Sequence, residues 1–307
     1  MRQPTLTLDR RAFLAALAAA GIAPRAVLAA GSPAILRPIP ASGERLPVIG
    51  MGSWITFDVG ADAHRRKSRL DVLRAFFEAG GAAIDSSPMY GSSEAVIGWC
   101  LARVEPAPKS FAATKVWTRG DWMGRQQMRH SAALWGVPRF DLMQIHNLLD
   151  WEVHLETLLE MKAAGRIRYI GVTTSHGRRH EELARIMETQ PIDFVQFTYN
   201  VLDREAEARL LPLAAERGLA VMINRPFRRG ALFDRFERQP LPAWARDFDA
   251  ANWAQFFLKF IVSHPAVTCA IPATSRVDHM LENMGALYGR LPDPETRARM
   301  VRHVEAL

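Results

Sequence analysis

Residues 82–91 read AAIDSSPMYG, and the first four of them set the reading of the whole chain. An apolar run rises to Asp85 and stops. Ser86, Ser87 and Pro88 turn the chain, and Tyr90 follows five residues after the acid. The same form returns twice. ATKVW (113–117) carries Lys115, and DLMQIHN (141–147) carries His146. A strand covered on both faces reads as a short apolar run and has no packing reason to end in a polar group. Three successive strands that do so fit a closed parallel barrel, in which function gathers at the C-terminal rim.

Working outward, eight strand-like runs alternate with helical patterns. They span Leu46 to Ser53, Ala82 to Ser87, Ser110 to Trp117, Asp141 to Asn147, Arg168 to Thr174, Phe194 to Asn200, Ala220 to Pro226 and Thr268 to Thr274. Arg69 to Ala79 reads as a helix closed by Gly80-Gly81. From Trp151 to Ala164, Trp151, Leu155, Leu158 and Leu159 share one face. Pro212 predicts that the helix between Glu205 and Arg217 is kinked or starts late. Phe227 to Asn252 reads as a long active-site loop, Val277 to Tyr288 as the last barrel helix, and Pro292 to Ala306 as a closing helix. The pattern predicts an α/β fold, a (β/α)8 TIM barrel, as a single domain over residues 37–307. A doubly wound sheet is the alternative. Its phosphate turn is missing, since Gly50-Met51-Gly52 lacks a third glycine and a following helix.

Composition bounds the partners. Of 307 residues, 49% are hydrophobic and 23% charged, a globular balance. The net charge is +7, and four arginines with one aspartate fall in the first 29 residues, so the remainder carries three charges fewer. That excess is too scattered for nucleic acid. The densest run, Arg65-Arg66-Lys67-Ser68-Arg69, reads as a solvated helix face. Residues 1–30 read as a twin-arginine export signal: Arg10-Arg11, then Phe13-Leu14, an apolar run to Ala23, and small residues at Ala29-Ala30 for cleavage. The apolar run is too short to span a bilayer. The expectation is a periplasmic or otherwise exported monomer with no stable membrane insertion and the twin-arginine export machinery as partner. Cys100 and Cys269 sit in apolar stretches and read as two free, buried thiols. His176 and His180 lack an acidic third ligand and read as loop histidines, so no metal is expected.

The rim residues predict chemistry. Buried Lys115 needs a counter-charge, which Asp85 on the neighbouring strand supplies. An ammonium beside Tyr90 is expected to lower its pKa and make it a general acid toward a carbonyl oxygen, with His146 orienting that oxygen. No nucleophile stands at a strand end, so the set suits reduction of a carbonyl rather than hydrolysis. On spacing alone, a structural Asp–Lys pair beside an unrelated Tyr and His is the alternative.

These segments carry a resemblance. LPVIGMGSW, IDSSPMYGSSEAVIG, ATKVW, DLMQIHN, IRYIGVTTS, VQFTYN and IPATSRVDHMLENMGA resemble, in order, the barrel of the aldo-keto reductase family. The resemblance implies a catalytic set of Asp85, Tyr90, Lys115 and His146, a small carbonyl substrate, and NADPH as cofactor with NADH as the alternative. It implies cofactor contacts at Gly52, Ser53, Gln196, Thr274, Arg276, Glu282 and Asn283. Thr173 and Thr174 stand where the family often has Ser-Asn, and Asn224 stands where many members have a stacking ring. Arg225, Arg228 and Arg229 can face the pyrophosphate or the solvent. The family's basic residues at the 2′-phosphate are replaced by Ala273 and His279, which leaves Arg276. Trp54, Trp117 and Trp122 are expected to line the substrate mouth. The altered cofactor positions leave a second reading, a nicotinamide-binding or sensing barrel with little turnover.

Overall fold

The computed structural model describes residues 32–107 and 109–307. The expected signal over residues 1–30 lies outside the described residues. Eight strands form one parallel sheet: β3 (Met51–Gly52), β4 (Ala83–Asp85), β5 (Phe111–Val116), β6 (Phe140–Ile145), β7 (Ile167–Thr173), β8 (Phe194–Thr198), β9 (Ala220–Asn224) and β10 (Cys269–Ala270). Each pairs with the next in sequence, and parallel bridges Ile49–Ala270 and Gly52–Ala273 close the ring. This is the (β/α)8 barrel the sequence predicts.

Side chains alternate across each strand, so every second residue faces the barrel axis. Phe111, Ala113, Leu142, Tyr169, Phe194, Ala220, Met222 and Cys269 form one buried apolar cluster there. Continuing the same alternation toward the C-terminal ends gives Asp85, Lys115, Gln144 and Gln196, all buried. The interior is thus apolar below and polar at the rim because the period of two carries from one layer to the next. The barrel is tight: a Cβ on Gly52 would stand 2.8 Å from the Ile271 carbonyl oxygen.

Helices cover the outside: α1 (Ala63–Glu78), α2 (Ser93–Leu101), α3 (Asp121–Trp135), α4 (Trp151–Ala163), α5 (His180–Thr189), α6 (Leu210–Arg217), α7 (Ala231–Phe236), α8 (Trp253–Val262), α9 (Val277–Met284) and α10 (Pro294–Ala306). α1 begins six residues before Arg69, because Asp62 caps it by accepting the Arg65 N–H at 2.9 Å. Of its basic run, Arg65 and Lys67 are exposed, whereas Arg66 and Arg69 are half-buried and Arg69 donates to the Thr56 and Ser275 carbonyls. α6 starts late, with Pro212 in its first turn, where a missing N–H costs nothing. Among the described residues, no helix is long and apolar enough to cross a membrane.

One expectation needs correction. Leu46 to Ser53 is not one strand. Its start belongs to β2 (Arg45–Pro47), paired antiparallel with β1 (Leu36–Pro38) in a hairpin before the barrel. Ile39 and Leu46 of that hairpin join the interior cluster and stop its lower end. The run Leu46-Pro47-Val48-Ile49 is apolar throughout, so periodicity alone does not mark the break. Phe227 to Asn252, read as a long active-site loop, also carries α7 and a 3-10 segment at Ala243–Phe248.

Candidate active site

At the end of β4, Asp85 is 2% exposed, and beside it on β5 Lys115 is 1% exposed. The ammonium donates to Asp85 Oδ2 at 2.5 Å and to the Ser86 carbonyl at 2.8 Å. Burial pushes the Lys115 ammonium below the usual lysine range, and Asp85 works against that shift. Tyr90 lies on the loop after β4, with the Lys115 Nζ 5.3 Å from its ring centroid. His146 follows β6, and its ring meets the Tyr90 ring edge-on at 5.7 Å.

His146 Nδ1 is 2.8 Å from the Ser87 hydroxyl. Ser87 also accepts the Met89 N–H at 3.2 Å. Where the Ser87 hydroxyl donates to Nδ1, the imidazole proton sits on Nε2 and the ring offers a donor there. Burial, then the Lys115 charge, lower the His146 pKa to about 3, and the ring is neutral at physiological pH. Tyr90 departs from expectation. Its pKa is raised, first by burial and then by Asp85. The carboxylate opposes what the ammonium was expected to do, and the phenol keeps its proton.

These groups open on a cavity of about 520 Å3. Of the candidate site residues, Gly52, Ser53, Trp54, Thr173, Thr174, Gln196 and Arg229 line it. Ser53 turns its hydroxyl toward the Asp85 carbonyl oxygen and Ser86, and so ties the end of β3 to β4. Arg229 places its guanidinium 4.3 Å from the Trp54 ring centroid. Asn224 donates to the Thr174 carbonyl at 2.9 Å and presents an amide where a ring would stack.

Other predicted residues stand elsewhere. Thr274, Arg276, Glu282 and Asn283 do not line the cavity, whereas Ala273 and His279 do. Arg276 is exposed and paired with Asp278, so its fork is already occupied. Neither Trp117 nor Trp122 lines the cavity: the Trp117 ring lies 6.4 Å from that of His146, and Trp122 is 66% exposed at the start of α3. Cys100 and Cys269 are both free and buried. His176 is held by Arg225 at 2.8 Å, and His180 opens α5. Sequence reasoning missed Ser87, Phe227 and Gln144. Gln144 had a signal, a polar residue within the apolar strand DLMQIH.

Comparison with known proteins agrees with this geometry. The sequence profile of the Aldo/keto reductase family matches residues 48–301. A methylglyoxal reductase of Escherichia coli is 28% identical over 257 residues, covering 81% of this chain and 88% of that protein. An aldo-keto reductase of Strobilurus tenacellus is 28% identical over 269 residues, 75% of this chain and 79% of its own. In three dimensions, an aldo/keto reductase of Klebsiella pneumoniae solved with NADP and acetate superposes with a TM-score of 0.73. It is 24% identical, over 85% of this chain and 93% of that one, and bears on the fold alone. The chain belongs to the aldo/keto reductase family, and it is an enzyme.

Proposed function

We propose that this aldo/keto reductase reduces an aldehyde or ketone to an alcohol with NADPH, accepting NADH as well, and that Tyr90 is the proton donor. One observation carries the reading. A protonated phenol and a neutral imidazole N–H donor stand together on a cavity wall, beside a buried Lys–Asp pair.

The cavity suits a nicotinamide dinucleotide. Thr174 and Arg225 both line it, and each keeps a buried polar atom with no partner. Thr173, Thr174 and Gln196 would hold the carboxamide, Arg225 and Arg229 the phosphates, and Ala273 and His279 would flank the adenosine. A nicotinamide held there would supply the hydride for the carbonyl carbon. The chain does the rest. His146 Nε2–H fixes the carbonyl oxygen. Tyr90 gives that oxygen its proton as the alkoxide charge develops. Lys115, 5.3 Å from the ring centroid, stabilises the phenolate left behind, and Asp85 keeps the ammonium in place. Export through the twin-arginine route is part of the same proposal, supported by Arg10-Arg11 and the apolar run behind them.

The test is fluorescence titration with NADPH and NADH, followed by an aldehyde panel, for the wild type and Tyr90→Phe. The variant should lose about 10³-fold or more in turnover while nucleotide affinity changes little. Equal turnover would remove Tyr90 from the mechanism.

A further inference from the structure

We infer that Gln144 is a positioning residue for the Asp85–Lys115 pair, fixing which carboxylate oxygen faces the ammonium through a row of side-chain amides across the barrel interior. The inference rests on the reductase reading above. Gln144 is fully buried on β6, in register with Lys115 on one side and Gly171 on the other. It does not line the cavity. A Cβ at Gly171 would stand 2.9 Å from Gln144 Cγ, so the glycine leaves the room this side chain occupies.

The sense of each amide follows from the acid. A carboxylate has only acceptors, so the Gln144 atom 2.9 Å from Asp85 Oδ1 is its nitrogen. Its oxygen then faces Gln196 Nε2 at 3.2 Å, and that nitrogen also reaches Asp85 Oδ1 at 3.1 Å. Gln196 Oε1 faces the Asn224 amide nitrogen at 3.4 Å, and Asn224 Oδ1 accepts from Thr198 at 2.8 Å. No amide in the row can flip without setting like against like. Two amide N–H groups therefore occupy Oδ1 and leave Oδ2 to Lys115.

Remove Gln144's donor and the carboxylate keeps one amide partner on Oδ1, loses its fixed orientation, and holds the ammonium beside Tyr90 less well, which alters the pH response of the catalytic set. The charged or titratable groups facing Asp85 are Lys115 on β5, Tyr90 on the loop after β4, and Cys269 on β10. None of them can replace the missing donor on Oδ1. Lys115 is engaged at Oδ2, and the Cys269 thiol points at the Ala270 carbonyl.

The experiment compares wild type with Gln144→Met, which keeps the length and removes both the donor to Asp85 and the acceptor of Gln196 Nε2. The acid limb of the kcat profile should move up by about one pH unit, with KM for the aldehyde and NADPH affinity within about threefold. NADPH affinity, read by fluorescence quenching, is independent of turnover and should stay within that range, because Gln144 is off the cavity wall and Gln196 keeps its bonds to Asp85 and Asn224. A merely structural loss would weaken binding and leave the limb where it was. If the Met variant does not fold, Gln144→Glu keeps the volume and sets a second carboxyl against Asp85, which should move the limb at least as far. An active wild type whose profile superposes on that of the folded variant overturns the assignment of Gln144 alone. A wild type that binds nucleotide without turnover overturns the reading beneath it.

Discussion

His146 is buried as the neutral imidazole, and that decides both what it offers a carbonyl and how the protein responds to acid. The unfolded imidazole takes up a proton near pH 6.5, whereas the folded one waits until about 3. Between those values the unfolded state binds more protons, so stability falls as pH falls. From pH 8 to pH 5 this one group should cost about 2 kcal/mol, and His146→Gln should lose that much less over the same interval in denaturant titrations. An equal loss in the variant would mean that His146 is charged in the folded protein. Asp85, Lys115 and His146 were legible because a polar residue at the end of an apolar strand has no packing explanation. Gln144 has the same signature one turn of the pleat earlier, but it falls inside its strand and was passed over. The direction of the Tyr90 shift was not legible. It depends on how deeply the phenol is buried and on its proximity to Asp85 as well as Lys115, which spacing does not contain.

At the scale of elements, the connection from β9 to α7 bears most on binding. Arg225, Arg228 and Arg229 all take positive φ (52°, 49° and 63°), a region that non-glycine residues enter at a cost and that clusters at functional sites. The chain there is bent so that Arg229 crosses to Trp54, joining this connection to the one after β3 on the cavity wall. We expect Arg229→Ala to weaken nucleotide binding about tenfold and Arg229→Lys to retain part of it, read by the same titration. Unchanged affinity in the Ala variant would mean that the bend holds itself without the contact. All eight barrel strands were legible from short apolar runs, and α6 starts late as Pro212 required. The hairpin of β1 and β2 was not, because its second strand runs into β3 through residues that are apolar on both faces. Its one local signal was Gly43, which takes φ 75° in the turn.

Across the whole molecule, the apolar lower half of the barrel, stopped by Ile39 and Leu46, supports a polar rim that opens on a cavity of about 520 Å3. That division was readable from the sequence as strands that change character at their last residues. What the cavity holds at its far end was less so: Arg276, the basic residue expected there, is turned outward to Asp278. The central claim is that this rim performs a reduction and does not merely hold a nucleotide. The direct measurement uses NADPH deuterated at the transferring position of the nicotinamide, with the purified protein and an aldehyde, and mass spectrometry of the product. The account predicts an alcohol carrying one deuterium on the former carbonyl carbon, formed over many turnovers. Tight binding of NADPH with no labelled alcohol from any aldehyde or ketone would contradict it and leave a nucleotide-binding barrel.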